Sequence, residues 1–161
     1  MKSSAGNAVL VIVLLGLLAV VFGWDYFVEG VLTDDEWSYV STTLSWAETG
    51  RFTLNGWVHM FFLGQGFAGA GVVKLFGSPL VSLRVLVVLF GMAGLWAIFG
   101  IARKLLPPKW SLLALVIVGT SPLWLRLSVT FMTDIPTWAL ALLSVLAVLQ
   151  AVVTDQRRWI V

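Results

Sequence analysis

The chain has no cysteine, a single histidine and only eight carboxylates among 161 residues. Without cysteine there is no disulfide framework, no thiolate nucleophile and no cysteine-based zinc site, and the redox compartment leaves no trace. One histidine cannot build a His-rich metal centre. Charged residues make up 11% of the chain, too few polar groups to clothe a soluble globule of this size. Walker and dinucleotide glycine patterns, a nucleophile elbow and a nucleic-acid-binding basic patch are all absent, so no nucleic-acid partner is expected. Internal repeats and low-complexity tracts are lacking too. What the chain has in excess is apolar surface: 60% hydrophobic residues, with nine Trp, ten Phe and a mean hydropathy of +0.99. Lipid accepts such a surface, and the composition predicts an all-α integral membrane domain, residues 1–161, with membrane lipids as its surroundings.

About four spans fit. The first is residues 8–22, an unbroken apolar run behind Lys2 with Trp24 and Tyr26 beyond it. A signal peptide would have the same basic start, but Val20-Val21-Phe22-Gly23 is bulky where cleavage needs small residues, so the run reads as an uncleaved helix. The next clear spans are 81–102, 110–125 and 135–153. Between the first span and these lies an outer loop, residues 24–80. It holds the densest charge in the chain, Asp34-Asp35-Glu36, followed by a helical pattern that Gly50 can stop. Thr33-x-x-Glu36 has the form of a capping box. Trp37, Val40, Leu44 and Ala47 form an apolar stripe and Asp35, Ser38, Ser41, Thr42, Ser45 and Thr49 a polar flank, which predicts an amphipathic helix at the membrane surface. Residues 57–76 are long enough to span, but His59, Gln65, Lys74 and four glycines are costly in hydrocarbon. Ala93-x-x-x-Ala97 is a weak small-x-x-x-small signal.

Charge placement decides between crossing and returning. If residues 57–76 return to the side they came from, Lys2, Arg103, Lys104, Lys109, Arg157 and Arg158 share one face, cytoplasmic by the positive-inside rule. Asp35 and Asp134 then share the other. The expected architecture is therefore about four transmembrane helices, an amphipathic outer-loop helix and a surface or re-entrant segment. It belongs in a plasma (inner) membrane, with a cytoplasmic amino terminus and a site facing the extracytoplasmic side.

The acids have a plain structural reading. Asp34, Asp35 and Glu36 suit the first turn of a helix, and Asp134, before Ile135-Pro136, can cap the last span. Three carboxylates in a row exceed what one cap requires, however. Asp can act as a general base or ligate a divalent cation facing a phosphate. Arg84 and Arg126 suit snorkelling at span ends, or a lipid phosphate on the acidic face. His59, beside Trp57, suits either the headgroup level or a site.

Asp35-Glu36-x-x-Tyr39, Gly50 with a nearby aromatic, Leu75-Phe76-Gly77 with Leu83-Arg84, Ser121-Pro122 and Asp134-Ile135-Pro136 follow one another in an order that resembles the amino-terminal part of the membrane-embedded C-type glycosyltransferases. The branch resembled is that of the dolichyl-phosphate-mannose-protein mannosyltransferases and the lipid A aminoarabinose transferases, over residues 8–153. That resemblance implies transfer of a sugar from a polyprenyl-phosphate carrier to an acceptor with inversion. It also implies Asp35 as the base and Asp134 toward the donor phosphate or a divalent metal ion; Glu36, Tyr39, His59, Arg84 and Arg126 are the candidate substrate contacts beside them. Residues 57–61 depart from the Pro-rich stretch usual there. The resemblance also implies more spans than four, so a further carboxy-terminal region or a partner membrane chain would complete the enzyme. A non-catalytic four-span subunit, or a lipid-carrier-binding partner, is the alternative from a different class.

Overall fold

The computed structural model describes residues 2–25, 30, 32, 35–58 and 62–154, and all regular structure among them is helical. Seven helices follow in order: α1 Lys2–Phe22, α2 Glu36–Thr49, α3 Leu63–Phe76, α4 Pro79–Leu105, α5 Pro108–Gly119, α6 Pro122–Leu127 and α7 Asp134–Thr154. Among the described residues, only α1, α4 and α7 are each long and apolar enough to cross a membrane. At 1.5 Å per residue, the 21 residues of α1 reach about 30 Å, the thickness of the hydrocarbon core.

The expected third span, 110–125, is two helices. Pro122 pushes the residue before it out of the α region, and Ser121 accordingly sits extended at ψ 136°. The break is built rather than frayed, because Ser121 Oγ accepts the backbone N–H of Trp124 at 3.2 Å and restarts the helix as α6. At 12 residues, α5 alone reaches only about 18 Å, so it crosses only with α6 continuing it.

Side-chain neighbours fix the directions. Gly30 lies against Leu80 and Gly16 against Met92, so α1 and α4 are antiparallel. Leu15 meets Gly119 and Gly23 meets Val129, which sets α5 and α6 parallel to α1. Gly94 lies under Trp138, Gly100 under Leu146, and Lys104 Nζ donates to Gln150 Oε1, so α7 runs alongside α4 in the same direction. The helix contact is thus made by Gly91, Gly94 and Gly100 of α4, with the buried Ala97 three residues from both Gly94 and Gly100 on the same face. At Gly94 the Trp138 ring occupies the space a methyl group would need.

The α3 helix, 14 residues long, is not among the described helices fit to cross. Its middle, at Gly69, touches Leu83, while its first turn, Leu63–Gln65, shares a cavity with Phe90 and Leu140, deeper in the bundle. It therefore lies antiparallel to the first half of α4, as the re-entrant alternative requires. The α2 helix ends where expected, at Gly50 in the left-handed conformation, φ +71°, which a residue without Cβ adopts cheaply.

One expectation for α2 changes. Ser38, Thr42 and Thr43, on or beside the flank read as facing water, are buried, and Trp37 of the apolar stripe is exposed. Thr43 packs against α3 at Gly69, and Ser38 is covered by Asn55, whose Oδ1 accepts from Ser38 Oγ at 2.7 Å while its Nδ2 donates to Ser38 O and Ser41 Oγ. This folds the 51–58 loop over the helix. Thr33, Asp34 and His59 lie outside the described residues.

The α4 helix separates Ser78, exposed before its start, from Lys109, exposed beyond its end, so the two stand at opposite ends of the bundle. Single cysteines at these positions, in a chain with no cysteine of its own, should react with a membrane-impermeant maleimide from opposite faces. Labelling of both from one face would overturn the arrangement.

Candidate functional site

The α2 helix presents its first two acids differently. Asp35, at the N-cap, is exposed and makes no side-chain cap to the helix. Glu36, the next residue, is 0% exposed, and so is Arg84 in the second turn of α4. The Arg84 Nε donates to Glu36 Oε1 at 3.1 Å and Nη2 donates to Oε2 at 2.9 Å, a two-pronged ion pair. The backbone N–H of Phe131 donates to the same Oε1 at 2.7 Å. One carboxylate therefore joins α2, α4 and the 128–133 loop.

That junction holds the segments that carry the two candidate aspartates at one end of the bundle. Asp35 is one residue before Glu36, and Asp134 is three residues after Phe131. Asp134 is exposed in the first turn of α7, where its charge also suits the helix dipole. Tyr39, one turn after Asp35, is buried with its ring edge-on to Phe62 at 5.1 Å. Arg126 is exposed on α6. Glu36 and Arg84, each expected to touch substrate, spend these oxygens and nitrogens on each other, and a ligand could reach them only if the pair opened.

Two cavities flank the first turns of α7. A groove of about 520 Å³ is lined by Val118, Leu123, Trp124, Leu127, Ile135 and Trp138, with Ser121, Thr133, Asp134 and Thr137 supplying its polar groups. On the other side, Phe62, Gly64, Gln65, Phe90, Pro136 and Leu140 enclose about 320 Å³ and share Thr133 and Thr137 with the first. Gln65 spans this second cavity's wall, its Nε2 donating to Met132 O at 3.1 Å.

Among the described residues, no three of His, Cys, Asp and Glu gather to hold a metal. Sequence reasoning did not single out Asn55 or the Phe131 amide. Asn55-Gly56 is a turn dipeptide and was legible as such; a backbone amide carries no residue signal at all.

Residues 64–161 match the dolichyl-phosphate-mannose-protein mannosyltransferase family. No curated protein and no solved structure matches the chain. Arg84, Arg126 and Asp134 fall inside the matched stretch, whereas Asp35, Glu36 and Tyr39 precede it and are tied to it by the Glu36 junction. With the match covering more than half of the chain and apolar helices fit to cross a membrane, the chain belongs to the dolichyl-phosphate-mannose-protein mannosyltransferase family, membrane glycosyltransferases of the C type.

Proposed function

We propose that the chain transfers a sugar from a polyprenyl-phosphate carrier to an acceptor hydroxyl, with inversion, on the extracytoplasmic face. The observation that carries this reading is the pair of cavities meeting at the first turn of α7. A two-substrate reaction needs two approaches to one point. The larger groove is walled by aliphatic and indole side chains and has a carboxylate at one place, which suits an isoprenoid tail with a charged head. The smaller cavity, polar at Gln65 and Thr133, suits the acceptor.

In this reading Asp35 removes the proton of the acceptor hydroxyl as its oxygen attacks the anomeric carbon, and the carrier phosphate leaves with the bonding electrons. One base without a nucleophilic partner suits a single displacement, by analogy with inverting hydrolases. Arg126, together with the amino end of α7, meets the charge of the leaving phosphate. Asp134 would hold a divalent ion delivered with that phosphate, whose chemistry would be charge balance. Tyr39, packed on Phe62, shapes the acceptor wall, and His59 is retained as a substrate contact on its residue chemistry alone. Glu36 and Arg84 act as positioning residues that fix where Asp35 stands.

Asp134→Asn tests the assignment of sides. It is expected to raise the KM for the lipid-linked donor by roughly tenfold while leaving the acceptor KM unchanged. A rise confined to the acceptor KM would reverse the assignment of the two cavities. No change in either would remove Asp134 from the site.

A further inference from the structure

The bundle end opposite Asp35 and Asp134 carries a different chemistry. Arg103 and Lys104 close α4, Leu106 and Pro107 make the turn, and Lys109 opens α5. Every residue from Leu105 to Trp110 is exposed, with Leu105 at 71% and Trp110 at 50%. Lys109 Nζ stands 5.4 Å from the centre of the Trp110 ring, and Lys104 Nζ reaches across to Gln150 Oε1 at 2.9 Å. The described carboxylates, Asp25, Asp35, Glu36, Glu48 and Asp134, all belong to the other end. Three cations within seven residues thus have no acidic partner nearby among the described residues.

We propose that this turn is a binding site for the headgroup of an anionic phospholipid. Cations alone would take any anion. Here they alternate with exposed Leu105, Leu106 and Trp110, side chains that belong at the level where acyl chains meet headgroups. A lipid phosphate satisfies both demands at once, whereas a soluble anion leaves the apolar side chains in water. The Lys109–Trp110 contact and the Lys104–Gln150 bond hold two of the ammonium groups on either side of the end of α4, where a phosphodiester bearing acyl chains can lie across the turn. Bound lipid would hold this end in an anionic leaflet and so keep the end that carries Asp35 and Asp134 on the opposite side.

Native mass spectrometry of the full chain, released from micelles containing phosphatidylglycerol and phosphatidylcholine in equal amounts, reads the preference directly. The wild-type chain should retain phosphatidylglycerol preferentially. Arg103→Gln with Lys109→Gln, which leaves the Lys104–Gln150 bond in place, should cut that preference at least about fivefold, since each cation near an anionic surface is worth about that factor. Arg51→Gln, an exposed cation at the other end, should leave it unchanged. Equal retention of both lipids by the wild type would overturn the proposal, as would an unchanged preference in the double variant or an equal loss in Arg51→Gln. Displacement of phosphatidylglycerol by inorganic phosphate would show a bare anion site and overturn it as well.

Discussion

Asp35→Asn should abolish sugar transfer in membranes where the chain is active, lowering the rate by about 10²–10⁴-fold, the range that general-base catalysis contributes. The substitution removes the ability to accept a proton and changes almost nothing else. Asp35 is exposed, and its side chain makes no cap to α2, so the structure gives it little stabilising work. A first-turn charge near a helix dipole is worth only about 0.3–1 kcal/mol, which is too small to explain a loss of that size through unfolding. Donor binding should survive, because the carrier groove is lined from α5, α6 and α7 and not by Asp35. Asp34→Asn is the matched control, with the same charge change one residue away, and should be mild. If both variants kept activity in proportion to their thermal stability, the carboxylates would be helix-starting groups. The assignment of a base would then be lost.

The long apolar helices and the gathering of acids and bases at different ends were legible because they depend on local composition. The α1, α4 and α7 helices are long runs in which almost any residue meets lipid, and hydropathy averages reveal such runs. That Asp35 and Asp134 share an end, with Arg103–Lys109 at the other, was legible from the segregation of acids and bases. The helix directions agree with it. The break at Ser121-Pro122 was written in the sequence but hidden by its apolar surroundings. A single proline among Leu, Trp and Val barely alters an average, although it decides the backbone of the residue before it.

Less of the site could be read. Asp35 and Glu36 are adjacent and chemically alike, so the sequence offers no reason to bury one and expose the other. The structure separates them by orientation, one carboxylate in water and one sealed inside. The partners that seal Glu36 are 48 and 95 residues away, and one of them is a backbone amide. Local pattern paired Glu36 with Thr33, which lies outside the described residues, and gave no sign that its carboxylate also holds Arg84 and Phe131. The burial of Ser38 likewise depends on Asn55, 17 residues on. Amphipathic patterning says which face of a helix is polar and not whether another polar segment will cover it.

Glu36→Ala should be the most destabilising single change in the described structure. It leaves the Arg84 guanidinium at 0% exposure without its carboxylate, and it strips the Phe131 N–H of its acceptor. Breaking a buried pair by removing one partner costs about 3–5 kcal/mol, because the surviving charge stays desolvated. For a chain of this size that corresponds to a fall in Tm of roughly 6–20 °C. Glu36→Gln keeps the shape and one acceptor oxygen and should fall between Ala and wild type. The informative comparison is Glu36→Leu with Arg84→Met, which removes both charges and refills the space with apolar groups. Such replacements are often neutral for the pair itself, so most of the lost stability should return, less about 1–3 kcal/mol for the orphaned Phe131 amide. Activity should not return with it. The double variant keeps the helices packed but no longer fastens the 128–133 loop to α2, so Asp35 and Asp134 lose their common anchor, and a misplacement of about 1 Å in a reacting group can cost 10²-fold. Recovery of both stability and transfer in the double variant would show that the ion pair only fills space. Recovery of stability alone would establish Glu36 and Arg84 as the groups that position the site.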